Sequence, residues 1–331
     1  MPQTLPRIDL LNATCFDVLD EDPHFLDEFA GQARITTDPA VKQMDEAQLD
    51  RFITGADAII INAAKLGFPR EAVMRNHPEL KVLSLAAAGY DWLELEAATR
   101  LGIVATNAPI ESGAEVVADM AFGLMLAACR QIPQHHAAIA AGRKMRGYGH
   151  SVWGKTLGIV GFGRIGKTMV KRARGFEMRV IATGRTMNVP DAAALGVEMM
   201  PLENLLRQAD FVSLHMPLNE QTRSIISAER IGLMKRTAYL INAARRELVD
   251  EAALAEALVA GRIAGAGLDE APRQRDERLF ALPGYVTTTH LGNRAIEGMR
   301  DVFRQAVVNA IDILNRRDCP YILNPSVCRK S

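Results

Sequence analysis

A glycine-rich turn is the stretch of this chain whose chemistry is easiest to read. Gly161, Gly163 and Gly166 follow the apolar run 156–160 and precede a helix-compatible stretch, 165–174. In such a setting the first glycine permits a tight turn, the second lets a ligand approach the backbone, and the third lets the helix pack on the strand. The amino terminus of that helix attracts an anion. The order strand, turn, helix therefore predicts a site for the pyrophosphate of a dinucleotide.

The end of the next predicted strand indicates which dinucleotide this site would bind. An acidic residue about 20 positions beyond the glycines usually binds the ribose 2′-hydroxyl of NAD(H). Gly184, Arg185 and Thr186 follow the strand here, and the first acidic residue beyond them is Asp191. A guanidinium and a hydroxyl can bind a 2′-phosphate, which a carboxylate would repel. The sequence favours NADP(H) over NAD(H); the alternative is a solvated Arg185 without influence on cofactor choice.

Three further apolar runs end in polar residues that can act on a ligand. These residues are His215, Arg245 and His290, each just beyond a short apolar run. Ligands of open α/β sheets bind beyond the carboxyl ends of the strands. If the runs are strands of one parallel sheet, the three side chains can meet over the nicotinamide of the dinucleotide.

The elements that must position these residues show as short apolar runs that alternate with helix-like segments from residue 57 onward. This alternation predicts an α/β fold, a doubly wound parallel sheet with helices on both faces. The segment 115–131 is long, apolar and rich in helix formers, so it is either a helix that connects two domains or a core helix of one domain. The predicted strands are 58–61, 82–85, 156–160, 180–182, 211–214, 238–241 and 285–288.

Composition narrows the class of protein. A chain of 331 residues, 48% apolar and 24% charged, suggests two globular domains. Lys plus Arg and Asp plus Glu number 39 each, so no basic excess favours nucleic acid or an anionic membrane.

No export signal or membrane span is visible, because the most apolar stretch, 116–129, contains Asp119; we expect a cytoplasmic protein. No metal site or disulfide is predicted from the scattered cysteines, Cys15, Cys129, Cys319 and Cys328.

Several motifs stand in a fixed order along residues 82–293. They are Ala87-Ala88-Gly89-Tyr90-Asp91, Val117-Ala118-Asp119, the glycine turn, 183–185, 215–218, 242–250, Gly267-Leu268-Asp269 and His290. With them the chain resembles the D-isomer-specific 2-hydroxyacid dehydrogenase family, and within it the NADPH-dependent glyoxylate/hydroxypyruvate reductases. The resemblance implies an oxidoreductase that transfers hydride between NADP(H), or NAD(H), and a small 2-oxo or 2-hydroxy acid.

The resemblance also implies how the chain is divided. A Rossmann-type domain, residues 107–293, would be inserted into a second, flavodoxin-like α/β domain made of residues 1–106 and 294–331. The active site would lie in the cleft between the domains. Family members are usually dimers, so a homodimer is implied.

Roles for individual residues follow from the same resemblance. Arg245 would bind the substrate carboxylate, and its planar fork suits a bidentate contact. His290 would give a proton to the substrate oxygen during reduction and take it back during oxidation. The main-chain N–H groups of Ala88 and Gly89 would hold the carboxylate from a second side. The implied cofactor contacts are Gly161, Phe162, Gly163, Arg164, Ile165, Gly166, Arg185, Thr186, His215, Pro217, Thr222, Ala243, Ala244, Asp269 and Gly292.

One part of the family pattern is disturbed in this chain. The family has a glutamate shortly after the Gly-Leu-Asp motif, and this glutamate holds the catalytic imidazole. Counted forward from Asp269 its position is Gln274, whereas counted back from Pro272 it is Ala271. The second count also explains a shortened loop and leaves Glu270 as the nearest carboxylate, so we predict Glu270 as the partner of the imidazole. A neutral partner would orient the ring without stabilising its charged form.

A second departure is Arg246, which occupies a position where the family usually has glycine. A glycine there often serves a special backbone angle or a close approach. Arg246 therefore changes the loop, or adds a cation that favours an acidic or phosphorylated substrate, or is a solvated side chain.

Two other functions stay open at this point. The disturbed glutamate segment is compatible with a cofactor-sensing regulatory protein that turns over little substrate, although the presence of Arg245 and His290 argues against it. Gln274 alone suggests a formate-type dehydrogenase.

Overall fold

The chain forms two compact units. The structure, a computed structural model, describes residues 5–11, 13–61, 69–186 and 190–328. One unit comprises Met1–Gly113 with Ala295–Ser331, and the other comprises Ala114–Arg294. The division that the resemblance implies, 1–106, 107–293 and 294–331, differs from these units by seven residues at the first boundary and by one at the second.

The first unit is built on a five-stranded parallel sheet. Its strand order, β2-β1-β3-β4-β5, is that of flavodoxin-like proteins, which confirms the predicted fold of this part. The strands are β1 Arg7–Leu10, β2 Arg34–Thr36, β3 Ala58–Ile61, β4 Val82–Leu85 and β5 Val104–Thr106. The helices are α1 Ala13–Glu21, α2 Glu46–Phe52, α3 Glu71–Asn76, α4 Leu95–Arg100 and, after the second unit, α13 Ile296–Leu314. Short 3-10 helices span Phe25–Phe29 and Pro39–Lys42.

Continuous apolar runs form the central strands of this sheet because helices cover both of its faces. All four residues of β3 and of β4 are buried. The C-terminal helix α13 belongs to the same core, since the Ser84 hydroxyl donates a hydrogen bond to the carbonyl oxygen of Ala306 at 2.7 Å.

The second unit contains a seven-stranded parallel sheet in the order β12-β11-β10-β9-β6-β7-β8. The chain builds outward from β6 in one direction, then returns to β9 and builds in the other, which is the doubly wound Rossmann arrangement. The strands are β6 Thr156–Val160, β7 Arg179–Thr183, β8 Glu198–Met199, β9 Phe211–Leu214, β10 Tyr239–Asn242, β11 Gly265–Leu268 and β12 Tyr285–Thr287. The helices are α5 Glu111–Arg130, α6 Ile132–Ala140, α7 Arg164–Gly175, α8 Pro190–Ala194, α9 Leu202–Gln208, α10 Ala228–Leu233, α11 Glu251–Val259 and α12 Glu277–Phe280.

Helix α5 is the long apolar segment whose role the sequence left open. By length and composition alone it could cross a membrane, with a mean hydropathy of 1.4. Ala118, Phe122, Met125 and Cys129 on this helix are buried in the same hydrophobic core as Ile159 of β6. Helix α5 begins in the first unit at Glu111 and continues into the second, so it both connects the two units and packs in the core of the second.

Candidate active site

The glycine turn joins β6 to α7 with the geometry its spacing predicts. Gly161 has a φ of +102°, and a Cβ there would collide with the carbonyl of His215. A Cβ at Gly166 would collide with the carbonyl of Gly161, so the helix packs closely on the turn. Gly163 precedes the first residue of α7, and no heavy atom lies within 4 Å of its Cβ position. The residues of this turn fit a pyrophosphate. The backbone packs closely at Gly161 and Gly166, and the space beside Gly163 is open to a ligand.

The first turn of α7 adds to this preference for an anion. It contains no acidic residue and begins with Arg164, whose side chain is exposed. The helix dipole and this cation both favour a negative ligand at the turn. Phe162 and Ile165 are half-buried beside the turn.

Arg185 and Thr186 lie just beyond the carboxyl end of β7, and both are exposed. Gly184 leads into them, and its Cβ position is 3.6 Å from the Phe162 nitrogen of the glycine turn. No hydrogen bond or ion pair joins the Arg185 side chain to another residue in the described part of the chain. Its guanidinium is thus available to a ligand that extends from the glycine turn.

His215 follows β9, the strand next to β6, and its ring is buried. Its Nε2 forms a 2.8 Å hydrogen bond with the Ser213 hydroxyl. Burial lowers the pKa of His215 to about 3, so the imidazole is neutral near pH 7. Pro217 and Thr222, which the resemblance also assigns to the cofactor, lie in the turn after His215. The Thr222 hydroxyl donates a hydrogen bond to the carbonyl of Pro217 at 2.8 Å. His215 therefore shapes the wall beside Gly161 and is unsuited to proton transfer.

Arg245 is placed by a side chain to which the sequence analysis assigned no role. Asn242, the last residue of β10, donates from Nδ2 to the carbonyl of Arg245 at 2.8 Å and accepts from the Ala244 nitrogen at 3.0 Å. The turn Ala243-Ala244-Arg245 is closed by these two bonds. The Arg245 guanidinium is half-buried and also donates to the Ala244 carbonyl at 2.9 Å. An asparagine directly after the apolar run 238–241 was the sequence signal that could have identified this support.

Asp269 at the end of β11 fixes the turn that carries His290. Its buried carboxylate accepts hydrogen bonds from the Leu291 and Gly292 nitrogens, both at 2.8 Å, and from the Thr288 hydroxyl at 2.7 Å. Its carbonyl accepts the His290 N–H at 2.5 Å. His290 is thereby held at a φ of +63°, an unusual backbone conformation for a residue with a side chain. The cofactor contact that the resemblance implies for Asp269 stays a prediction, and within the protein its carboxylate holds the His290 turn.

Gly292 is required by the same arrangement. A Cβ at this position would lie 2.7 Å from the Asp269 carboxylate, which is closer than real Cβ atoms approach an oxygen. The imidazole of His290 itself is exposed.

The second unit thus brings together a guanidinium, an imidazole and two carboxylates. Arg245, Asp269 with Glu270, and His290 follow β10, β11 and β12, which are neighbours in one sheet. Among the described residues no group of three or more His, Cys, Asp or Glu side chains is suited to hold a metal ion. The Arg245 guanidinium can bind a carboxylate, and the His290 imidazole can exchange a proton. The same sheet carries the glycine turn.

Comparison with known proteins agrees with this geometry. Residues 122–292 match the family model described as "D-isomer specific 2-hydroxyacid dehydrogenase, NAD binding domain". A glyoxylate reductase of Pyrococcus horikoshii is 40% identical over 259 residues, which cover 75% of this chain and 77% of that protein. The chain belongs to the D-isomer-specific 2-hydroxyacid dehydrogenases. It is an oxidoreductase of 2-oxo and 2-hydroxy acids.

Other relatives show how broad this dehydrogenase family is. A D-3-phosphoglycerate dehydrogenase of Methanocaldococcus jannaschii is 37% identical over 289 residues, which cover 86% of this chain and 54% of that protein. A solved glyoxylate reductase from Paecilomyes thermophila superposes with a TM-score of 0.82 at 27% identity and covers 98% of this chain and 100% of its own. The predicted family and fold are therefore confirmed.

Two positions distinguish this dehydrogenase from the family pattern, and they lie together. The carboxylate of Glu270 accepts the main-chain N–H of Arg246 at 3.3 Å and lies 3.5 Å from its guanidinium. No hydrogen bond joins Glu270 to the His290 ring among the residues that the structure describes. The predicted pair of Glu270 with His290 is thus absent from this arrangement. The Arg246 side chain is half-buried, and its guanidinium also donates to the carbonyl of Ala271 at 3.3 Å.

Ala88 and Gly89 belong to the first unit. They follow β4, and the carbonyl of Ala88 accepts a hydrogen bond from the Asn107 side chain at 2.7 Å. Within the described ranges, the N–H groups of Ala88 and Gly89 donate to no protein group. They are therefore available as donors at the carboxyl end of this sheet.

Proposed function

We propose that this dehydrogenase reduces glyoxylate or hydroxypyruvate with NADPH. The observation that carries the proposal is the placement of Arg245 beyond β10 and of His290 beyond β12, two strands separated only by β11 in the sheet that also bears the glycine turn. The relatives named glyoxylate reductase support a small 2-oxo acid as the substrate. A two- or three-carbon acid offers both groups that these side chains need, a carboxylate and an adjacent carbonyl.

Each residue has a defined task in the proposed reduction. The reduced nicotinamide, when bound, supplies the hydride that adds to the carbonyl carbon. Arg245 binds the carboxylate through two parallel N–H groups and so fixes which carbon faces the hydride. His290 donates a proton to the carbonyl oxygen as negative charge develops there. His290 is exposed, whereas His215 is buried with its Nε2 bonded to Ser213, so His290 is the histidine placed to meet a substrate.

A panel of 2-oxo acids tests the proposal. Purified full-length protein is assayed for NADPH oxidation with glyoxylate, hydroxypyruvate, pyruvate and 3-phosphohydroxypyruvate. We expect the highest kcat/KM with glyoxylate or hydroxypyruvate. A clear preference for the phosphorylated acid would overturn the substrate assignment. Tight NADPH binding without turnover on any acid would instead support the regulatory protein that the sequence left open.

Arg185 is proposed to select NADPH by binding its 2′-phosphate. Replacing it with aspartate removes a charge-assisted contact of about 1.5–3 kcal/mol and adds repulsion, so the NADPH/NADH ratio of kcat/KM is expected to fall at least about 30-fold. The ratio is measured with the preferred acid at both cofactors. Arg262→Asp is the matched control: Arg262 is also exposed in the second unit but precedes β11, at the other end of its strand. Equal use of both cofactors by the unaltered protein would refute the role of Arg185.

We also propose the homodimer that the resemblance implies, formed through α6 and the segment after it. Large apolar side chains there are unusually exposed, at 56% for Ile132, 67% for Ile139, 99% for Tyr148 and 67% for Trp153. Such a group of exposed apolar residues favours association. Sedimentation velocity is expected to show a species of twice the chain's 36.2 kDa, and Ile139→Ser with Tyr148→Ser to shift it toward monomer. A monomer at every concentration of unaltered protein would contradict this.

A further inference from the structure

Arg246 contacts the chain that follows β11 at three points. Its main-chain nitrogen donates to one oxygen of Glu270 at 3.3 Å, and its guanidinium lies 3.5 Å from the other. The guanidinium also donates to the carbonyl of Ala271 at 3.3 Å. One side chain and its own backbone thus hold both oxygens of the Glu270 carboxylate.

The backbone of Glu270 is close to the catalytic turn. Glu270 and Thr289 form an antiparallel β-bridge, and Thr289 immediately precedes His290. The bridge therefore places the backbone of Glu270 one residue from His290, and the direction of the Glu270 side chain decides what the carboxylate serves. In this structure that direction is toward Arg246.

Among the described residues Arg246 is the cation in direct contact with Glu270, and the exposed guanidinium of Arg273 interacts with Glu270 at longer range. Glu247 accepts a hydrogen bond from Arg273 at 2.7 Å and lies 3.6 Å from Arg246, so its charge is matched chiefly by Arg273. Glu251 at the start of α11 accepts the main-chain N–H of Arg273 at 3.4 Å. On the other side, the carboxylate of Asp269 is used by the His290 turn.

A small cavity with a mostly apolar lining lies beside Arg246 and Glu270. It has a volume of about 20 Å³ and is lined in part by Arg246, Glu251, Glu270 and Tyr285. Arg246 Nε, Glu251 Oε1 and Tyr285 Oη are buried and have no hydrogen-bond partner among the described residues. These three atoms are the polar groups of the lining that the described protein leaves without a partner.

We propose that Arg246 is a positioning residue that binds the Glu270 carboxylate and withholds it from the His290 imidazole. This rests on the proposed function, in which His290 is the acid. The protonated imidazole then lacks a carboxylate that would stabilise its charge. Reduction is consequently lost at a lower pH than it would be if Glu270 faced the ring.

A double-mutant cycle tests this with Arg246→Gly, Glu270→Gln and their combination. The pH at which kcat/KM for reduction falls to half is measured for each protein, together with the titration midpoint of the His290 ring by NMR, assigned from the spectrum of His290→Asn. Arg246→Gly is expected to raise both values by about 1 pH unit, because the freed carboxylate can reach the ring. Glu270→Gln is expected to change them by less than about 0.3 in the unaltered protein and to reverse the rise in the Arg246→Gly background.

Two further variants keep the test decisive. Arg246→Met retains the apolar stem without the charge and replaces Arg246→Gly if the glycine variant does not fold. Arg273→Met removes the cation that pairs with Glu247 and is expected to leave the His290 midpoint within about 0.3 pH unit.

Either of two results would overturn the proposal. One is a shift on Glu270→Gln that is equal with and without Arg246, and the other is an unchanged midpoint in every Arg246 variant. The NMR titration needs no substrate, so it distinguishes failure of this inference from failure of the proposed function. If no 2-oxo acid is reduced but the NMR cycle behaves as expected, only the proposed function is lost.

Discussion

Replacing His290 with asparagine is expected to lower kcat for the reduction of the preferred 2-oxo acid roughly a thousandfold, within the range for removal of a general acid. Asparagine tolerates the φ of +63° at this position, so the turn held by Asp269 is retained. The amide cannot give up a proton to the developing alkoxide. The loss should appear in kcat more than in KM, because the proton moves in the transition state and the carboxylate contact is unchanged.

The matched control for this substitution is His24→Asn. His24 is an exposed histidine of the first unit whose ring pairs only with Asp27 in the described part of the chain. Its replacement should leave kcat within about twofold, as expected for an exposed residue away from the reaction. A His290→Asn protein that keeps more than a tenth of the unaltered rate would show that another group supplies the proton.

Replacing Arg245 with glutamine is expected to reduce kcat/KM for the acid by roughly a thousandfold. Loss of one partner of a hydrogen-bonded charge pair costs about 2–5 kcal/mol, and each 1.36 kcal/mol is about tenfold. Most of the loss should be a higher KM for the acid, with the KM for NADPH little changed. Arg245→Lys should recover only part of the activity, because an ammonium lacks the planar fork that binds a carboxylate bidentately.

Steady-state kinetics with varied acid at saturating NADPH measure this effect. Arg262→Gln, which removes an exposed arginine that precedes β11, serves as the control for loss of one positive charge. An unchanged KM for the acid in Arg245→Gln would contradict the assignment of Arg245 to the carboxylate.

Much of the fold was predictable from apolar runs. The predicted strands at 58–61, 82–85 and 211–214 coincide with β3, β4 and β9. Parallel strands covered by helices are buried on both faces, so they appear in sequence as continuous apolar stretches. The strand β11 was missed because its sequence, Gly-Ala-Gly-Leu, has little apolar bulk; the backbones and side chains around Gly265 and Gly267 are too close for larger residues.

For the candidate site, the sequence indicates which residues follow the strands but not how their side chains pair, and the catalytic roles stay predictions. The positions of Arg245 and His290 beyond β10 and β12 follow from the motifs. Asp269 and Glu270 are adjacent, yet the Asp269 carboxylate accepts hydrogen bonds from the turn that carries His290, whereas the Glu270 carboxylate contacts Arg246. Which way each carboxylate points depends on the donors that neighbouring strands present, and these donors come from distant parts of the chain.

Transfer of a labelled hydride tests the central claim most directly. The protein is given glyoxylate and NADPH in which both hydrogens on C4 of the nicotinamide are replaced by deuterium. The product is examined by NMR and mass spectrometry. We expect glycolate with one deuterium on the hydroxyl-bearing carbon, formed in equal amount to the NADP⁺ produced. Consumption of NADPH without deuterium in the product acid, or recovery of unreacted glyoxylate, would contradict the account.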